Sequence, residues 1–145
     1  MRARLVAVLL VFLSGQIFAQ TVTVRLIDGG SGKPIGSENV TIFWGTDLFT
    51  KIIVPIDKKG VGRFQVLAGN TSFSMMSGPK VGKEPNRIAY LDCNEGDASN
   101  VSIKEVMQKG FVPRNDCSKK VFVSRKPGEV VYFAKLRPWW MPDMQ

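Results

Sequence analysis

The residues best equipped for chemistry in this 145-residue chain are its two cysteines, Cys93 and Cys117, and the acids beside the first of them, Asp92, Glu95 and Asp97. Histidine is absent. Without it there can be no Ser-His-Asp triad, no Cys-His pair, no His-ligated zinc and no histidine pH switch. Two cysteines are too few for a zinc cage or an iron–sulfur cluster, yet enough for one disulfide. A reactive thiol would need an activating histidine that the composition does not supply, whereas in an oxidising compartment two cysteines most simply pair. Closing a loop of that length stabilises by about 3.5 kcal/mol in the chain-entropy model. The three acids could hold a hard cation or supply a glycosidase acid and base. Their spacing fits no EF-hand loop, however, and paired glycosidase acids face each other across a cleft. A solvated turn is the simpler expectation. The sequence thus points to no catalytic residue, no cofactor-binding residue and no metal ligand, and to a protein that is not an enzyme. A small carboxylate-dependent hydrolase is the remote alternative.

The first residues read as an address. Arg2 and Arg4 precede a wholly apolar run, residues 5–13, and then a short segment ending at Ala19. That is the pattern of a secretory signal peptide cleaved after Ala19. The run is shorter than the ~20 residues needed to cross a bilayer, and no cysteine stands at the cleavage point for lipid attachment. The expected organisation is a signal peptide over residues 1–19, a single domain over 20–137 and a C-terminal tail over 138–145. The expected location is secreted, periplasmic or extracellular. The formal charge of +8 falls to +6 once Arg2 and Arg4 are gone, with 18 basic against 12 acidic residues. In such a compartment the available polyanions are lipid head groups, cell-wall polymers and acidic glycans. Nucleic acid is excluded as a partner on that ground.

The elements that must position these residues are mostly strands. Residues 21–26 alternate polar and apolar, which puts Val22, Val24 and Leu26 on one face. A cluster of turn formers from Asp28 to Pro34 ends that strand. Further strands are predicted over 40–44 and 49–56, where Pro55 marks an edge or a bulge. Residues 61–67 are expected to pair with the preceding strand as a hairpin through the Asp57-Lys58-Lys59-Gly60 turn. Strands over 71–76, 87–91, 121–123 and 130–136 complete the count. Ser102 and Glu105 form a capping box ahead of Ile103, Val106 and Met107, and Gly110 can close that helix of about two turns in a left-handed conformation. A run of short strands with no helix between them predicts a meander that buries its apolar faces against a second sheet.

The stretch from Val22 to Met76 resembles the carboxypeptidase regulatory-like domain, a transthyretin-like (prealbumin-like) sandwich of secreted bacterial proteins. The features that carry the likeness are the opening strand, Asp28 with the Gly32-Lys33-Pro34 turn, a strand ending near Trp44, the Asp57-x-x-Gly60 turn before Phe64, and Gly69 ahead of Phe73. The resemblance implies an all-β, Ig-like or transthyretin-like antiparallel β-sandwich with one short helix in a C-terminal insertion. It also implies a non-catalytic role as a folding aid, a spacer, a carbohydrate-binding module or part of a cell-surface machine.

Two adjacent tryptophans in the tail supply a candidate interaction surface. Neighbouring side chains of an extended segment point in opposite directions, so Trp139 and Trp140 cannot both face one core. With Lys135, Arg137 and Met141 they suit a membrane interface, a sugar platform or a docking groove, or else they pack over an open end of the sandwich. The expectation is a monomeric module with a binding or structural role at the bacterial cell envelope, meeting an envelope protein, a membrane surface or a glycan. A carbohydrate-binding module is the alternative. Asn39, Asn70 and Asn100 each begin an Asn-x-Ser/Thr triplet, a coincidence for a bacterial protein.

Overall fold

The alternation that opens the chain becomes strand β1, Thr21–Asp28, with Val22, Val24 and Leu26 buried on one side. The structure, a computed structural model, describes residues 20–45, 49–77, 90–94 and 96–136. After β1 come β2 (Asn39–Trp44), β3 (Lys51–Pro55), β4 (Val61–Gln65), β5 (Ser72–Ser77), β6 (Tyr90–Asp92) and β7 (Val101–Ser102). Helix α1 (Ile103–Lys109) and strand β8 (Glu129–Leu136) follow. The strands form two four-stranded sheets, β4-β1-β8-β6 and β3-β2-β5-β7, called here the first and the second. Their apolar faces share one core, from Val22, Val24 and Tyr132 of the first sheet to Ile42, Trp44 and Phe73 of the second. The chain is an all-β sandwich with one short helix.

Three aromatic rings lock the sheets together. Trp44 of β2 meets Phe64 of β4 edge-on at 5.7 Å between centroids, and Phe64 meets Phe73 of β5 at 5.3 Å in the same manner. Such edge-to-face pairs stabilise by ~0.5–1.5 kcal/mol each beyond the area they bury. A polar tie crosses the interior as well. Ser77 N–H of β5 donates to the Tyr132 hydroxyl of β8 at 2.9 Å, with the Asp92 carboxylate at the end of β6 near that hydroxyl. Burial, reinforced by the charge of Asp92, raises the hydroxyl well above the ordinary phenol range.

Strand pairing departs from the expected meander. The 57–60 turn is present, with Asp57 Oδ1 accepting from Lys59 N–H at 2.8 Å and Val61 N–H at 3.0 Å. The strands it joins nevertheless lie in different sheets, β3 against β2 and β4 against β1. The turn is therefore a corner between layers, and the expected hairpin does not form. Gly62 permits the corner, since a Cβ there would stand 2.8 Å from the Pro55 carbonyl oxygen. The third strand begins at Lys51, not at 49, and Phe49 is exposed. Among the described strands the pairing is antiparallel except between β1 and β8, which run parallel at the centre of the first sheet, and Phe111 adds an isolated parallel bridge to Val130.

Ser102 caps α1, accepting from Glu105 N–H at 3.4 Å. The reciprocal arm of the capping box is replaced by an ion pair, with Arg125 Nη1 donating to Glu105 Oε1 at 3.3 Å. Gly110 ends the helix at φ 77°, ψ 163°, an extended conformation of positive φ and not the left-handed helical one expected. A Cβ at Gly110 would collide with the Lys126 backbone. The two-residue strand β7 was not apparent in the sequence. Conversely, residues 121–123 form no strand. Of the expected 87–91 strand, the described part starts at Tyr90, and residues 87–89 lie outside the described residues.

Candidate functional site

The outward face of the first sheet is divided into two halves. Near the start of β8 it is polar, with Arg25 Nη1 donating to Glu129 Oε1 at 3.1 Å. Farther along it is apolar, and Ile27, Val131 and Phe133 are almost wholly buried there. What buries them is not a sheet but the irregular chain from Val112 to Val123. Val112, Cys117, Val121 and Val123 pack onto the same cluster. β1 and β8 are thus covered on both faces. That explains why residues 130–134 form an unbroken apolar run where a half-buried strand would alternate.

The covering layer is fastened by a disulfide and by side-chain amides. Cys93 and Cys117 are joined, with Cα atoms 5.4 Å apart. Gly29 lies directly beneath, where a Cβ would come within 3.1 Å of both cysteine Cβ atoms. Asn115 Nδ2 donates to Gly29 O at 2.8 Å while its Oδ1 accepts from Cys117 N–H at 3.0 Å. Asn94, fully buried, extends the ladder of β6 with its side chain. Its Oδ1 accepts from Phe133 N–H at 2.8 Å and its Nδ2 donates to Phe133 O at 2.9 Å. An amide side chain imitates a peptide group here, so the backbone of a buried strand loses no partner.

On the solvent side the layer forms an open groove of about 490 Å³. Its apolar floor includes Val112, Val121, Val123 and Phe133, and its rim carries Arg114, Asp116 and Lys119. Phe122 stands at this groove and is 89% exposed. In the sequence Phe122 reads as a strand residue, which hides its exposure. The available signal was an aromatic residue between two valines, with a lysine pair before it and Arg125-Lys126 after it.

The acids near Cys93 do not converge. Asp92 Oδ1 accepts from the backbone and side chain of Asn94, and Asp97 Oδ2 accepts from Arg114 N–H at 3.1 Å. Glu95 lies outside the described residues. Among the described residues no group of three His, Cys, Asp or Glu side chains is placed to hold a metal ion. Asp92 thus holds a local turn, and Asp97 ties its segment to residue 114. Among the Asn-x-Ser/Thr triplets, Asn39 is buried, Asn70 Nδ2 donates to Leu67 O at 3.3 Å, and Asn100 is exposed at φ 52°.

Of the candidate interaction residues, Lys135 is exposed on β8. Arg137, Trp139, Trp140 and Met141 lie outside the described residues. Among the described residues no helix is long and apolar enough to cross a membrane. No family model, curated protein or solved structure matches this chain.

Proposed function

We propose that this protein is an exported, non-catalytic β-sandwich that acts as a binding or structural module at a bacterial cell envelope. The observation that carries the reading is the Cys93–Cys117 disulfide, which fastens an irregular surface layer over the apolar half of a sheet. A disulfide of this structural kind persists in oxidising compartments and is rare in a reducing cytosol. It agrees with the signal-peptide pattern of residues 1–19 and with the likeness of residues 22–76 to the carboxypeptidase regulatory-like domain. A fixed layer of this sort presents side chains without a large ordering cost on binding, which suits recognition. Of the acids beside the disulfide, Asp92 lies at the Tyr132 tie between the sheets and Asp97 accepts from Arg114 N–H. Lys135, Arg137, Trp139, Trp140 and Met141 are further candidate interaction residues.

Expression of the whole chain in a Gram-negative host tests the reading. The expected product begins at Gln20, has Cys93 linked to Cys117 in a non-reducing peptide map, and sediments with the envelope. Recovery from the cytoplasm with both thiols open to alkylation would refute export. Turnover of glycosides or esters by the purified protein would refute the non-catalytic assignment.

A further inference from the structure

Phe122 is 89% exposed, although Val121 and Val123 on either side of it turn down onto the Ile27, Val131 and Phe133 cluster. Its surroundings are basic. Lys119, Lys120, Arg125 and Lys126 are all exposed, and between residues 114 and 126 five basic side chains accompany one acid, Asp116. Arg114 and Lys119 line the groove beside the ring. The tip is also anchored. Val121 abuts Gly32 so closely that a Cβ there would stand 3.3 Å from it, and the disulfide and Asn115 tie the preceding residues to Gly29. The aromatic ring is therefore presented by a fastened base.

We infer that this tip is a membrane-insertion element, in which Phe122 enters the head-group region of an anionic bilayer while Lys119, Lys120, Arg125 and Lys126 meet lipid phosphates. The inference rests on the envelope reading above and adds to it the surface and the partner. Charge complementarity selects the occupant, because juxtamembrane cations are drawn to anionic lipid and a buried aromatic adds an affinity that salt does not screen. A sugar ring would need an aromatic platform with fixed polar groups at its edge, whereas here the polar groups are long, flexible cations. The Arg125–Glu105 pair is solvent-exposed, so its loss opposes binding only weakly.

The test is co-sedimentation of the exported, disulfide-bonded protein with vesicles of phosphatidylcholine alone and of phosphatidylcholine mixed with phosphatidylglycerol. Binding is expected to the mixed vesicles only, reduced about tenfold by Phe122→Ser. Lys119→Gln with Lys120→Gln should reduce it by a similar factor and flatten its salt dependence. Thermal unfolding should be unchanged in these variants, since the altered side chains are exposed. Lys58→Gln with Lys59→Gln, at the exposed corner turn, should leave vesicle binding intact. Equal binding by Phe122→Ser, or release from vesicles by a soluble acidic glycan at low concentration, would overturn the inference. Absence of vesicle binding by a protein that still sediments with the envelope overturns the insertion and leaves the envelope reading standing. Vesicle binding by a protein found only in the soluble exported fraction does the reverse.

Discussion

The two apolar layers of this molecule are built by different means. The inner one lies between sheets, where period-two alternation places Val22, Val24, Ile42 and Phe73 face to face and backbone ladders fix the register. The outer one lies between a sheet and an irregular segment, where the disulfide, the Asn115 amide and the Asp116 N–H bond to Cys93 O take the place of a continuous ladder. The difference teaches where local order comes from. A strand contributes its own regularity, and a covering loop must borrow it from cross-links.

The comparison breaks most visibly in the inner layer. Trp44→Ala should destabilise the whole protein by about 4 kcal/mol, since it removes a buried indole packed between sheets. Chemical denaturation followed by circular dichroism should show one cooperative transition at a lower midpoint. In the outer layer, Cys93→Ser with Cys117→Ser should remove about 3.5 kcal/mol in the chain-entropy model. There the loss is expected to be local first. Amides of Asp116 and Cys117 should exchange faster, with apolar dye binding, while those of β2 and β5 stay protected at low denaturant. Simultaneous loss of protection in both layers would show that the outer layer is integral to the fold.

A smaller effect sharpens the same contrast through the tie between the sheets. Tyr132→Phe should destabilise by about 1–3 kcal/mol, because it leaves the Ser77 N–H without its acceptor. It should also change the response to alkali. The folded protein holds the Tyr132 hydroxyl above its ordinary value of 10.0, so this group's stability contribution is complete below about pH 10 and declines as the pH rises further. Denaturant midpoints measured from pH 8 upward should therefore fall less steeply in the variant. An identical slope would remove Tyr132 as the source.

The contrast between layers also explains what could be read from the residues beforehand. The inner faces were legible because alternation and turn chemistry are local signals, as in β1 and in the turn after Asp57. Pairing was not legible. A tight turn fits a hairpin and a corner between sheets equally well, and the close approach of Gly62 to Pro55 that accompanies the corner is a tertiary fact. The outer layer was half legible. The apolar run in β8 signals burial on both sides without saying what covers it. Residues 121–123 alternate as a strand does because they pack against a flat apolar face, although they pair with no strand. At the candidate site the disulfide was accessible from composition and compartment, whereas the exposure of Phe122 depended on knowing which way the two valines turn.

The parallel pairing of β1 with β8 bears on when the protein can fold. The two strands meet at the middle of the first sheet, with Arg25 and Glu129 in contact across 104 residues of chain. Neither β4 nor β6 can bridge that gap, because each pairs with only one of the central two. The sheet therefore stays incomplete until residue 136 has emerged, and a large loop must close before its contacts are gained, which slows folding. The centre of the first sheet is thus the last part of the fold whose contacts can be gained as the chain is made.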